Sequence, residues 1–169
     1  MAIVNRNSAA IANDVAVPSV KNQPYIDNTL KEVVGLITPA TDDSATSIGR
    51  LVRVPSRARV SQLLVTAADF TTAGVADIGV YRTSEDGGAA VDVDYFASAF
   101  DFAASTGAGV DLATLINEST TNTPAKQEQP LWQALGLSAD PGVEYDIAYT
   151  ITTAFNGGQP ILMKVRYVG

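Results

Sequence analysis

Two stretches near the C-terminus decide the fold: VEYDIAYTIT (Val143–Thr152) and ILMKVRYV (Ile161–Val168). In the first, Val143, Tyr145, Ile147, Tyr149 and Ile151 alternate with Glu144, Asp146, Ala148, Thr150 and Thr152. In the second, Ile161, Met163, Val165 and Tyr167 alternate with Leu162, Lys164, Arg166 and Val168. Successive side chains of an extended strand point to opposite faces, so a strict period of two marks a strand with one face in a core. Asn156-Gly157-Gly158 lies between the two stretches, and together they are expected to form a hairpin. On its polar face the acids of the first strand would oppose Lys164 and Arg166 of the second.

The same texture continues toward the N-terminus. Glu32–Thr38 (EVVGLIT) stops at Pro39 and a polar turn through Ser47, and Gly49–Val54 stops at Pro55-Ser56. Ala58–Thr66 follows, and then Gly74–Arg82, which ends in the turn Glu85-Asp86-Gly87-Gly88. In Tyr95–Ala103, Phe96, Phe100 and Phe102 share one face. Gly107–Pro124 is rich in Gly, Thr and Asn and reads as a long loop, within which Val110–Ile116 forms a short strand or a helical turn.

Ala125–Leu137 is the one helical candidate, because Leu131, Trp132, Leu135 and Leu137 recur at helical spacing. Pro130 suits its first turn and Gly136 its end. Trp132, the sole tryptophan, either closes the core beside these leucines or anchors an interface.

Many short strands separated by turns predict an all-β fold, a jelly roll or β-sandwich. Its body spans residues 32–169, with one short helix and an extended N-terminal arm over 1–31. The arm carries Ile3, Val4, Ile11, Val15, Val17 and Val20 singly among Asn, Ser and Pro, without periodicity. Pro18 and Pro24 favour extended backbone at and before them. Such a segment is too apolar for a typical solvated tail. It suits an arm laid on a neighbouring molecule, and a poorly ordered terminus is the plainer alternative.

Composition narrows the chemistry. The 169 residues include no His and no Cys, which removes the commonest general base, metal ligand and strong nucleophile. No G-x-S-x-G, S-x-x-K or P-loop pattern occurs. Asp86, Asp92, Asp94 and Asp101 do not meet the calcium-loop pattern. The eighteen acids would allow a glycosidase pair by residue type alone, without nominating one. The expectation is a non-enzymatic structural or binding module with no catalytic residue, no cofactor and no metal.

The net charge of −7 is unevenly spread. Residues 1–66 hold seven Lys/Arg against five Asp/Glu, whereas residues 67–146 hold two against thirteen. So acidic a middle argues against nucleic acid as the main partner and for a basic one. The start of the chain lacks the apolar segment of a signal peptide, and no apolar run is long enough to cross a membrane as a helix. Arg50, Arg53, Arg57 and Arg59 form the only cation cluster. They are read as a solvated face around the Pro55 turn, or as a grip on an acidic partner patch or, less favoured, on nucleic-acid phosphate.

Gly49–Ala103, with ADIGVY and DGGAAVD, then Pro130–Ala154, with LWQALGLSADP, and the ending VRYVG (Val165–Gly169) resemble the capsid cement, or head decoration, proteins of podovirus-like tailed bacteriophages. None of these pieces is a catalytic motif, so the resemblance implies a location and a role, not a reaction. It implies a jelly-roll body on the exterior of the virion head, made in the bacterial host cytoplasm and bridging subunits of the major capsid protein. It also implies self-association as a homodimer or homotrimer, with neither nucleic acid nor membrane as partner. The contact residues expected are Ile3, Val4, Ile11, Val15, Val17 and Tyr25 in the arm, then Arg50, Arg53, Arg57 and Arg59. The alternative is a receptor- or carbohydrate-binding module of a virion fibre or tail, since fold alone does not decide function.

Overall fold

A computed structural model describes residues 3, 5–7, 11, 30–68, 70, 74–102, 110–111, 126, 129–155 and 158–169. Its strands are β1 (Asn5–Asn7), β2 (Leu30–Ile37), β3 (Ile48–Pro55), β4 (Arg59–Ala67), β5 (Val75–Arg82), β6 (Ala90–Asp101), β7 (Val110–Asp111), β8 (Glu144–Thr153) and β9 (Ile161–Val168). A 3-10 turn covers Ser84–Asp86, and a single helical turn, α1, covers Leu131–Ala134. The predicted strands are all present within a few residues of their expected ends, except that β6 begins five residues before Tyr95. Of the expected helix Ala125–Leu137, the described residues show helical Lys126 and a turn at Leu131–Ala134. Pro130 caps it from outside, and Gly136, at φ 83°, ends it as anticipated.

The strands lie in two sheets, ordered β1-β3-β8-β5-β6 and β2-β9-β4-β7. Leaving β1 aside, the pairing is nested: β2 with β9, β3 with β8, β4 with β7 and β5 with β6, all antiparallel. A long antiparallel ribbon paired in this way and rolled so that its strands fall alternately into two facing sheets is a jelly roll. The fold is thus an all-β sandwich of the expected class.

The expected β8–β9 hairpin does not form. β8 lies between β3 and β5 in one sheet, whereas β9 lies between β2 and β4 in the other. β8 ends at Thr153 in one sheet and β9 starts at Ile161 in the other. Alternation requires each strand to turn one face to a core; two strands from opposite sheets that share one core satisfy it equally well. The predicted cross-strand charge pairs go with the hairpin: Arg166 Nε donates to Glu32 Oε2 on β2 at 2.6 Å, and Asp146 pairs with arginines of β3.

The core is built from the alternating faces. β9 contributes Ile161, Met163, Val165 and Tyr167, and β8 contributes Tyr145, Ile147, Tyr149 and Ile151, all buried. Each such side chain is worth about 1.5–3 kcal/mol in transfer from water. At one end Phe70, Phe102, Phe155 and Tyr149 cluster, with ring centroids 5.2–6.0 Å apart in tilted and edge-on pairs. Tyr149 lies over Gly49, its register partner, where any Cβ would stand 2.1 Å from the ring. Burial holds the Tyr149 phenol above its ordinary pKa.

At the other end α1 packs on the Pro55 turn, where the Leu131 and Trp132 amides donate to Ala58 O at 2.8 Å and Ser56 O at 2.9 Å. Leu131 and Ala134 enter the core, while Trp132 is only half-buried.

Candidate interface surfaces

The arginine cluster divides in two. Arg57 and Arg59 are exposed, whereas Arg50 and Arg53 are buried, at 4% and 9% exposure. A solvated face is therefore wrong for Arg50 and Arg53. Strict alternation would set residues 50 and 53 on opposite faces of β3. The β3–β8 register slips by one residue between Arg50 and Val52, and this bulge returns both arginines to the outer face.

There they meet Asp146, fully buried on β8. Arg53 Nε donates to Asp146 Oδ1 at 2.7 Å, and Arg50 Nη1 donates to Oδ2 at 3.3 Å. Arg50 also donates to Arg82 O at 2.9 Å and Gly88 O at 2.7 Å, with its guanidinium 5.5 Å from the Tyr81 ring centroid. Arg53 reaches Glu85 Oε2 at 3.2 Å. Burial pushes the Asp146 carboxyl above the usual carboxylate range, against the pull of Arg53 and Arg50.

The two arginines thus clamp the β5–β6 connection over the outer face of the five-stranded sheet. Beside them the Tyr81 and Thr150 hydroxyls share a short hydrogen bond. Such a network, complete within the molecule, offers little to a partner.

Edge strand β6 is irregular, with three register slips against β5 and Ala99 at φ 51°. Its main chain at Asp92 and Val93 crosses so close to Gly79 that a Cβ there would stand 2.1 Å from Asp92 O. Val91 and Val93 are exposed, at 38% and 42%, between half-buried Asp92 and Asp94. Partial desolvation, and then side-chain hydrogen bonding with Asp94, raise the Asp92 pKa, against the Asp94 backbone amide that donates to Asp92 Oδ1. Among the described residues no three acids are grouped to hold a metal ion.

Part of the predicted arm belongs to the body. Asn5–Asn7 add to β3 as a parallel edge strand, and the 1–31 boundary falls inside β2. Arg6 donates to both oxygens of buried Asp43, Nε to Oδ2 at 2.7 Å and Nη2 to Oδ1 at 2.8 Å. Bonding to Arg6, supported by the Ala40 amide, holds the Asp43 carboxyl below the usual range against the opposing effect of burial. Ile11 is fully buried and Ile3 is 68% exposed. Val4, Val15, Val17 and Tyr25 lie outside the described residues.

The outer face of the four-stranded sheet has a different character. Register aligns four rows across β2, β9 and β4: Leu36–Leu162–Thr66, Val34–Lys164–Leu64, Glu32–Arg166–Gln62 and Leu30–Val168–Arg59. Leu30, Val34 and Leu36 are 60%, 43% and 53% exposed. Three cations and one carboxylate stand among six apolar side chains. Sequence reading gave Leu162 and Val168 to a polar face and did not mark this surface. The one signal was that EVVGLIT is apolar at both strand phases, more than a half-buried strand requires.

Among the described aromatic residues every Phe and Tyr is buried, and Trp132 alone is half-exposed. A stacking platform for sugars is thus not built from them. A cleft of about 310 Å³ beside the Pro55 turn brings Lys31 and Arg57 together with Asp140 and Glu144. Asp140 is engaged there by the Ser56 hydroxyl and the Gly142 amide.

No family model matches the chain, and no curated protein does. Among solved structures, a chain in the capsid of Ralstonia phage GP4 has a similar fold, with a TM-score of 0.64 at 12% identity. The likeness covers 98% of this chain and 97% of that one.

Proposed function

We propose that this chain is a structural protein of a tailed-phage virion, one that binds the outside of the head and bridges neighbouring subunits of the major capsid protein. The observation that carries the reading is the end-to-end likeness of its jelly roll to a chain of a phage capsid. The chemistry agrees with it, because a chain without His or Cys whose buried charges are internally paired is equipped to hold, not to react.

Bridging needs many modest contacts repeated over a lattice, where copy number supplies avidity. The contacts proposed are the arm, through Ile3, Val4, Val15, Val17 and Tyr25, and exposed Arg57 and Arg59. Buried Ile11 would fix the arm to the body. Arg50 and Arg53 would act indirectly by shaping the β5–β6 connection. The reading includes self-association of the body, as a dimer or trimer, on the head.

The test mixes the purified protein with empty, expanded capsids that lack it. Saturable co-sedimentation and a higher capsid melting temperature are expected, both weakened by Ile3→Asp and by the pair Arg57→Glu and Arg59→Glu. Absence of head binding, with adsorption to host cells instead, would overturn the reading in favour of a receptor-binding module.

A further inference from the structure

We infer that the outer face of the β2–β9–β4 sheet docks the acidic edge strand β6 of a second copy of this chain, head to tail. The inference deepens the self-association part of the proposed function by naming the two surfaces.

The face is an unusual one for a monomer to leave in water. Its four rows extend about 20 Å along the strands and about 14 Å across them at ordinary sheet spacings. Contiguous apolar surface of a few hundred Å² on a soluble protein commonly marks a contact site. Lys164 stands at the centre of this one, beside Val34 and Leu64, with Arg59 and Arg166 toward one end. On β2, β9 and β4 Glu32 is the single carboxylate of the face and already holds Arg166 at 2.6 Å, and on β7 the register sets Asp111 opposite Leu64.

That charge pattern selects the occupant. Packing the face against its own copy about a two-fold axis would bring cation onto cation in a desolvated contact, which costs affinity. The complement must be acidic with an apolar component. The chain carries such a strand: on β6, the last strand of the five-stranded sheet among the described residues, exposed Val91 and Val93 alternate with half-buried Asp92 and Asp94. Asp94 disfavours the charge on Asp92, against the nearby Lys126, and a further ammonium would favour that charge.

Charges on an edge strand also deter uncontrolled pairing. A cationic, apolar face converts the same charges into an address. The contact is heterologous, so it closes into a ring or extends along a lattice.

Sedimentation velocity on the full chain over a wide concentration range tests this without any capsid, so its outcome is separate from that of head binding. The wild type should self-associate. Lys164→Glu on the face and Asp94→Lys on the edge should each weaken association at least tenfold. Leu36→Asp and Val93→Lys serve as second variants should either fail to fold. An equimolar mixture of the face variant and the edge variant should associate, because one intact face meets one intact edge. A wild type that stays monomeric overturns the inference, as do variants that associate normally. Two monomeric variants whose mixture also stays monomeric overturn it too, by pointing to a symmetric contact.

Discussion

The two sheets share one core and treat their outer faces in opposite ways. The five-stranded sheet turns outward a polar set, Arg50, Arg53, Asp146, Tyr81 and Thr150, and covers it with its own β5–β6 connection until the three charges are buried. The four-stranded sheet turns outward leucines, valines and three cations and leaves them exposed or half-buried. The polar face is thus the closed one, and the more apolar face is open. Burial here follows completeness of pairing rather than hydropathy. A charge network that satisfies itself belongs to the stability of the monomer, whereas unmatched apolar and cationic surface belongs to an assembly.

The sharpest way to break that contrast is to remove the acid that holds the closed face together. Asp146→Ala leaves two buried guanidinium groups without their shared counter-charge, a loss of about 3–5 kcal/mol. In a chain of this size that corresponds to a fall in Tm of roughly 10 °C or more. Differential scanning calorimetry measures it, and an unchanged Tm would mean that the network is ornamental.

A smaller effect belongs to the edge of the same sheet, where Arg6 fastens β1 to Asp43. The Asp43 pKa is depressed in the folded chain. Its contribution is therefore present above the ordinary carboxylate pKa near 3.9 and is lost as pH falls through the depressed value. Urea midpoints of the wild type and Asp43→Asn should differ at pH 6 and converge as pH falls through the depressed value. A gap that stays constant with pH would show that the ion pair contributes nothing.

The least effect on stability is expected on the open face. Leu36→Ser should change unfolding free energy by no more than about 0.5 kcal/mol, as exposed substitutions usually do. The same variant should reduce self-association clearly. A large loss of stability would mean that Leu36 serves the monomer, and the contrast between the faces would fail.

How much of this was legible beforehand differs between the same two regions. Alternation in Val143–Thr152 and Ile161–Val168 identified eight of the nine inward residues correctly, Val143 remaining only partly buried at the margin. The cation cluster was visible as residue types, and its split was not. Arg57 and Arg59 stayed outside, while a one-residue bulge at Leu51 carried Arg50 and Arg53 to a carboxylate more than 90 positions away in the chain. The open face was missed because Leu162 and Val168 looked like incidental members of a polar row until β2 was laid beside them.

By itself the sequence determined that this protein is an all-β sandwich without histidine or cysteine. Strand periodicity and residue chemistry are local properties, written into the chain wherever it folds. Only the tertiary structure decided which strands are neighbours, that β8 and β9 part into different sheets, and which charges are closed in or left open. Those outcomes depend on register between segments far apart in sequence, and a single bulge is enough to reverse the face on which a side chain emerges.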